Sequence, residues 1–140
     1  MNHPILQNRV RGQAMVELML VLGLFLLLIL GTFNMVQLFL VNYTVNQAVW
    51  AAANQAAIDG GAAPSSVVVA ELLLNAGVGT SATQAEITVS CAPPGMLCRR
   101  YDPITVEIVY QGSYWVPIAP IFDSFTTRAR ATRPSERDQQ

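Results

Sequence analysis

The chain has 140 residues, of which 52% are apolar and 12% charged, and its formal net charge is -1. A chain of this length suggests one domain, and its polarity is too low for a disordered protein or for an ordinary soluble surface. The nearly balanced charge gives no indication of a nucleic-acid partner. These values argue against a plain cytosolic enzyme.

The charges are unevenly distributed along the chain. No charged residue occurs between Glu17 and Asp59, a run of 41 residues, and the 24 residues from Leu18 to Val41 are almost entirely apolar. The polar members of this stretch are Thr32, Asn34 and Gln37. A helix of this length measures about 36 Å at about 1.5 Å per residue, whereas a bilayer core is about 30 Å thick. Because a helix satisfies its own backbone hydrogen bonds, the stretch predicts a transmembrane helix.

The flanking charges predict the orientation of that helix. Arg9 and Arg11 precede the apolar run, and the next charge after it is Asp59. The positive-inside rule therefore predicts a cytoplasmic N-terminus and an exported C-terminal part. The alternative is a cleaved secretory signal with Ala51-Ala52-Ala53 as its small-residue site. The apolar run is longer than the roughly 7–15 residues that such signals carry.

Glu17 is a carboxylate placed directly against the apolar run. An ionised side chain within a membrane costs a few kcal/mol, so intramembrane carboxylates are candidates for a function. The alternative is that Glu17 lies at the headgroup boundary and stays hydrated.

The residues before Glu17 favour a function. The stretch Arg-Gly-Gln-Ala-Met-Val-Glu at residues 11–17 follows a basic leader and precedes an apolar helix. It resembles the type IV prepilin motif, in which a membrane-bound prepilin peptidase cuts after the Gly. The resemblance implies cleavage between Gly12 and Gln13, which makes Glu17 the fifth residue of the mature chain. Its carboxylate can then pair with the new α-amino group of a neighbouring subunit, because burying opposite charges together costs less than burying one alone.

A narrower resemblance follows from the same residues. The stretch from Arg11 to Leu18, with Leu30-Gly31 further on, is similar to the N-terminal signature of the TadE-like minor pilins of the Tad (Flp) pilus system. Two residues depart from the family pattern: Gly23 stands where a Pro is frequent, and neutral Asn34 aligns where an acidic residue is common.

The resemblance implies a location and a set of partners. The expected location is the bacterial inner membrane, with one membrane pass, a cytoplasmic N-terminus and a periplasmic head, and the pilus or cell surface after assembly. The expected partners are the prepilin peptidase, other minor pilins, the major pilin, the inner-membrane assembly platform and the lipid bilayer.

The sequence predicts five segments. These are a prepilin leader (1–12), the transmembrane half of a spine helix (13–41), the amphipathic half of that helix (42–59), an exported head (60–132) and a flexible tail (133–140). The amphipathic half is indicated by an apolar stripe at three- and four-residue spacing. Its members are Val41, Val45, Ala48, Val49, Ala52 and Ala56. Asp59-Gly60-Gly61 predicts the end of the helix.

The head is predicted to contain a short helix and three strands. Residues 67–76 form an apolar stretch that predicts a helix, although its Val-rich start leaves a strand open. Polar and apolar residues alternate over 85–90 and 104–110, which predicts an antiparallel pair, and 125–132 is a third candidate strand. The predicted fold is α+β, with a long N-terminal transmembrane and amphipathic spine helix packed on a small antiparallel sheet, as in pilins.

Two cysteines stand on either side of an Ala-Pro-Pro-Gly-Met-Leu stretch. In an exported domain, Cys91 and Cys98 predict a disulfide. A metal site lacks ligands, since the single histidine is His3, before the membrane span. The sequence contains no recognisable catalytic constellation and no phosphate-binding glycine pattern, so neither an enzyme nor a cofactor is expected.

The combined patterns predict a minor pilin or pseudopilin that is cleaved after Gly12 and assembles through its helix into a pilus or its initiating tip complex. Two alternatives stay open. One is an unprocessed single-pass anchor whose periplasmic head is an assembly or binding module. The other is a tip adhesin that contacts a surface through the loop containing Tyr114 and Trp115.

Overall fold

The structure is a computed structural model, and it describes residues 5–61, 64–92, 98–116 and 123–137, with side chains from residue 13 onward. Its helices are α1 (Ile5–Asp59) and α2 (Pro64–Ala76). Its strands are β1 (Ala85–Cys91), β2 (Pro103–Ser113) and β3 (Ser124–Pro134), with one 3-10 turn (Ala82–Gln84) before β1. This arrangement confirms the predicted α+β fold.

The helix α1 is continuous over 55 residues, which corresponds to about 80 Å at about 1.5 Å per residue. It confirms the long spine helix predicted over residues 13–59 and also extends upstream to Ile5. Gly23 and Gly31 both lie inside this continuous helix and do not interrupt it. A Cβ added at either position would have no other atom within 4 Å. Both positions therefore lie on an open stretch of helix surface.

The two halves of α1 have different surroundings. Residues 13–33, called the bare segment below, are exposed apart from half-buried Leu30. Beyond this segment, one face of the helix is covered by the head. The predicted apolar stripe is confirmed, since all six of its members are buried: Val41, Val45, Ala48, Val49, Ala52 and Ala56. The opposite face, with Tyr43 and Trp50, stays exposed.

The strands form an antiparallel sheet in the order β1-β2-β3. Alternation along β2 places one set of its side chains against α1. This set is fully buried and consists of Ile104, Val106, Ile108 and Tyr110. Ala129 and Ala131 of β3 complete the buried face. The three predicted strands are confirmed, and each extends beyond its predicted bounds.

The helix α2 packs beside the C-terminal half of α1, with Ala70 and Leu74 buried in the shared core. The prediction of a helix over 67–76 is confirmed, and the strand alternative is wrong. The helix begins three residues earlier than predicted, at Pro64. A proline is well accommodated in the first turn of a helix because its missing N–H has no intrahelical partner there.

The C-terminal residues are more ordered than predicted. Arg133 and Pro134 belong to β3, and Ser135 is buried. The Ser135 N–H donates to the Asp102 carbonyl at 2.8 Å, and the Ser135 carbonyl accepts from the Tyr101 N–H at 2.8 Å. The flexible tail predicted to begin at residue 133 therefore does not begin there, because the backbone pairing continues past the strand. Residues 138–140 lie outside the described residues.

A disulfide joins Cys91, at the end of β1, to Cys98, with their Cα atoms 5.7 Å apart. Cys98 is buried against the edge of the core. The predicted pairing of these two cysteines is present, and residues 93–97 between them lie outside the described part of the chain.

Asp59 ends α1 and joins it to α2. Its carboxylate accepts hydrogen bonds from the Ser65 hydroxyl and from Gln55 Nε2, the latter at 2.9 Å. The Ser65 bond, then the Gln55 bond, lower the pKa of Asp59, and Arg137 adds to this, while partial burial opposes it. These donors offset the unfavourable position of an anion at a helix C-terminus.

The lowered pKa of Asp59 predicts a pH-dependent contribution to stability. An unfolded aspartate titrates near ~3.9, so the stabilisation is fully present above that pH and is lost as the pH falls through the lower folded value. Asp59→Asn should therefore lower the free energy of unfolding at pH 7, and the difference from wild type should shrink below about pH 4. Denaturant titration of the full chain in detergent micelles at several pH values measures this.

The matched control for this experiment is Asp123→Asn, which neutralises an exposed aspartate before β3 and should leave the free energy of unfolding near the wild-type value. A deficit of Asp59→Asn that is the same at pH 7 and below pH 4 would contradict the proposed role of the carboxylate.

Candidate functional site

The predicted processing site lies within α1. Gly12 and Gln13 are both in helical conformation, because the helix begins at Ile5. Arg9 and Arg11 precede them in the same helix, and their side chains lie outside the description. Glycine in a helix interior costs about 1 kcal/mol relative to alanine. Local unwinding of α1 is therefore easier at Gly12 than at its neighbours.

Glu17 lies one turn after Gln13, on the same side of the helix, and is exposed. Among the described side chains, no cation forms an ion pair with Glu17. Within the part of the chain whose side chains are described, Glu17 is therefore open to water, lipid headgroups or another molecule.

The bare segment has the properties of a membrane span. Its apolar side chains are open to the surroundings, with Leu20 71% and Phe25 59% exposed. Within the described residues, one helix, Gln13–Asp59, is long and apolar enough to cross a membrane, and its most apolar window is entirely unburied. A surface of this kind is unfavourable in water.

The head begins at two amide side chains of α1, Asn34 and Gln37, called the amide pair below. They are spaced by three residues and so share one face of the helix. Both are buried, with 8% and 1% of their surface exposed. Counted from Gln13, they are the first buried residues of α1.

The amide pair binds the backbone that follows β2. Asn34 Nδ2 donates to the Val116 carbonyl at 2.9 Å, and Asn34 Oδ1 accepts from the Val116 N–H at 3.3 Å. Gln37 Nε2 donates to the Ser113 carbonyl at 2.8 Å, and Gln37 Oε1 accepts from the Trp115 N–H at 2.8 Å. Two side chains thus satisfy four backbone groups, and they fix the end of the sheet at which β2 finishes to the helix.

This geometry gives a physical reason for an amide at position 34. An amide donates and accepts at the same time, whereas an ionised carboxylate only accepts. Asn34 can therefore pair with both the N–H and the carbonyl of Val116. An ionised acidic residue at position 34 could accept from the N–H but would leave the carbonyl without its donor.

The amide pair was missed as a functional element by sequence reasoning, although a signal existed. Two amides three residues apart in an apolar run lie on one face, and buried amides need partners. The boundary between the transmembrane and amphipathic halves, placed at residue 41, stays a prediction. The head contacts of α1 already begin at Asn34.

Tyr114 and Trp115, the predicted contact surface, lie at the end of the head that adjoins the bare segment. Tyr114 is half-buried, with its ring centroid 5.2 Å from that of Phe125. Trp115 is 46% exposed and its indole lies against Gly79. Gly79 has a φ of +72°, and a Cβ there would lie 2.8 Å from the ring, so both the turn and the indole position depend on glycine.

The opposite end of the head contains two links between its elements. Asp59 joins α1 to α2 there, and the disulfide between Cys91 and Cys98 lies at the same end of the sheet, since Cys91 pairs with Ile104. The disulfide and the predicted contact surface of Tyr114 and Trp115 are therefore at opposite ends of the head.

No three His, Cys, Asp or Glu side chains in the described ranges come together as a possible metal site. The expectations that the protein needs no cofactor and binds no metal stay predictions.

The amide pair predicts a specific effect of charge at position 34. Asn34→Asp keeps the shape of the side chain but removes the donor to Val116 at neutral pH, so the head should lose about 1–3 kcal/mol of stability. Lowering the pH should restore part of this loss relative to wild type at the same pH, because a protonated carboxyl can donate again.

The control for Asn34→Asp is Asn46→Asp, since Asn46 is exposed and bonds the Asn42 carbonyl of its own helix. Denaturant titration of the full chains in detergent measures both variants. Equal effects at positions 34 and 46, or no recovery of Asn34→Asp in acid, would contradict the proposed pairing.

Comparison with protein families finds one match: residues 12–57 match the family described as TadE-like protein. The match begins at Gly12 and ends at Ala57, in the last turn of α1, so it covers the spine helix and leaves the sheet outside it. Comparison with curated proteins and with solved structures finds no match.

Proposed function

We propose that this chain, whose residues 12–57 match the family described as TadE-like protein, is a minor pilin or pseudopilin of the Tad pilus system that is processed after Gly12 and assembled through α1. Under this proposal it is a membrane-anchored, pilin-like protein associated with the Tad pilus. The observation that carries the proposal is the coincidence of the family match with a helix whose first half is bare and whose second half supports the head.

Membrane insertion is the first step of the proposed function. The apolar part of α1 that begins at Leu18 spans the hydrocarbon core, because about 20 residues cover about 30 Å. Arg9 and Arg11 keep the N-terminus in the cytoplasm. The head is then exported to the periplasm of a bacterial cell, where the disulfide between Cys91 and Cys98 forms in an oxidising compartment.

Processing is the second step. A prepilin peptidase cuts the peptide bond between Gly12 and Gln13 and leaves a mature chain that begins at Gln13. The helical conformation around the bond must open for the cut, and Gly12 lowers the cost of opening. The product carries a free α-amino group four residues before Glu17.

Assembly is the third step. The mature chain packs its bare segment against the helices of other minor pilins and the major pilin, with help from the inner-membrane assembly platform. Glu17 has no cationic partner among the described side chains of its own chain. Pairing with the α-amino group of a neighbour removes the cost of burying an unpaired carboxylate and sets the axial register of the two helices.

Two alternatives differ from this proposal in what they require of the helix and the head. An unprocessed anchor keeps its leader and uses the head as an assembly or binding module. A tip adhesin uses Trp115 on a surface, but this residue lies at the base of the head, beside the bare segment. We infer that the protein has no enzymatic activity of its own.

The mature N-terminus tests the processing step. In cells that contain the prepilin peptidase, mass spectrometry should find a chain that begins at Gln13, and in cells without the peptidase the leader should remain. A leader that stays intact in peptidase-positive cells would contradict the pilin assignment and favour the unprocessed anchor.

Glu17→Gln tests the assembly step separately. The variant should be cleaved as the wild type is, because the cut site is unchanged, but at least ten-fold less of it should appear in sheared pilus fractions. Glu71→Gln removes an exposed carboxylate of the head and should assemble normally. Quantitative immunoblotting of membrane and pilus fractions measures both, and normal incorporation of Glu17→Gln would show that the carboxylate is dispensable.

A further inference from the structure

We propose that the base of the head is a second membrane contact, in which the Trp115 indole lies in the interfacial layer of the leaflet on the side of the head. The occupant of this surface is therefore the lipid interface, not a surface ligand or a neighbouring subunit. The inference rests on the membrane insertion proposed above and goes beyond it by assigning lipid to the predicted contact residue.

The height of Trp115 above the membrane follows from the helix. A hydrocarbon core of about 30 Å is crossed by about 20 residues, and a count of that length from Leu18 ends at Gln37. The Trp115 N–H donates to Gln37 Oε1 at 2.8 Å. The backbone of Trp115 is thus held at the level where α1 leaves the hydrocarbon.

The chemistry of this surface suits the interface. Tryptophan is enriched at membrane interfaces because it combines a large apolar ring with a polar N–H. Its indole lies against Gly79 and remains 46% exposed, and neighbouring Val78 is 60% exposed. Asp123 is also at this end, since its carbonyl accepts from the Tyr114 N–H, and its exposed side chain can remain in the hydrated headgroup layer.

The base of the head, residues 113–116, is firmly attached to α1. Four hydrogen bonds from the amide pair hold residues 113–116, so Trp115 cannot move far from α1 without breaking them. Amide groups near lipid must have their hydrogen bonds satisfied within the protein, and those of the amide pair are satisfied in this way. A Trp115 that rests in the interface therefore holds the head at a fixed height and tilt before assembly.

The two tryptophans of the chain allow a direct test. Trp50 is also exposed, by 48%, and is 13 residues above Gln37 on the same helix, which is about 20 Å higher at about 1.5 Å per residue. Trp50→Phe leaves Trp115 as the single reporter, and Trp115→Phe leaves Trp50 as its matched control. Both full-length variants are reconstituted into phosphatidylcholine–phosphatidylglycerol vesicles that contain lipids brominated high on the acyl chain.

The expected result is that brominated lipid quenches Trp115 at least two-fold more than Trp50, with Trp115 emission shifted to the blue. Weak and equal quenching in vesicles with which the protein floats would overturn the inference and favour a protein or ligand contact for Trp115. Strong and equal quenching would also overturn it, because the head would then lie down on the membrane. A chain that does not float with the vesicles would overturn membrane insertion itself, and the inference with it.

Discussion

The helix α1 has two different surroundings along its length: its first half is exposed and apolar, and its second half is covered on one face by the head. The rest of the structure depends on the point at which the first gives way to the second. The bare segment of α1 exposes Leu and Phe side chains along its whole circumference, a surface that is unfavourable in water. Above it, the same helix buries one face of small and branched residues under a sheet. The change occurs at the amide pair, Asn34 and Gln37, which is buried and bonded to the backbone after β2. These four hydrogen bonds fix the position of the head along the helix.

The packing of the head is adapted to a helix that continues out of it. The buried face of α1 is rich in alanine, with Ala48, Ala52 and Ala56 fully covered, so the sheet and α2 can approach the helix closely. At the far end, the Asp59 carboxylate joins α1 to α2, and the Glu136 N–H donates to the Ala57 carbonyl at 2.8 Å. The head is therefore attached to α1 at both ends, and the bare segment continues the main helix of the head without interruption. Such a helix can present its apolar surface to lipid or, in the proposed assembly, to the helices of other subunits without any change in the head.

The sequence allowed much of this fold to be predicted, because the signals involved are local. A run without charge between Glu17 and Asp59 predicts a long apolar helix, and alternation predicts strands. The partners of Asn34 and Gln37 could not be predicted in this way, since they lie 76 to 82 residues further along the chain. The order of Ser135 depends on contacts with Asp102 and Tyr101, so composition alone suggested a flexible tail. For the same reason the sequence could name Trp115 as an exposed aromatic residue but not place it at the base of the head.

The division of α1 into a lipid half and a head-bearing half is tested most directly by the depth of spin labels along the helix. Single cysteines can replace the exposed residues Leu28, Tyr43 and Asn54, because the two native cysteines are joined in a disulfide. Power-saturation electron paramagnetic resonance of the full chain in lipid bilayers then compares collisions with oxygen, which is enriched in lipid, and with a water-soluble nickel complex. We expect oxygen to dominate at Leu28 and nickel at Tyr43 and Asn54, which places the crossover between Leu28 and Tyr43, in the interval that contains the amide pair. A label at Tyr43 or Asn54 buried in lipid, or a label at Leu28 open to water, would contradict this account.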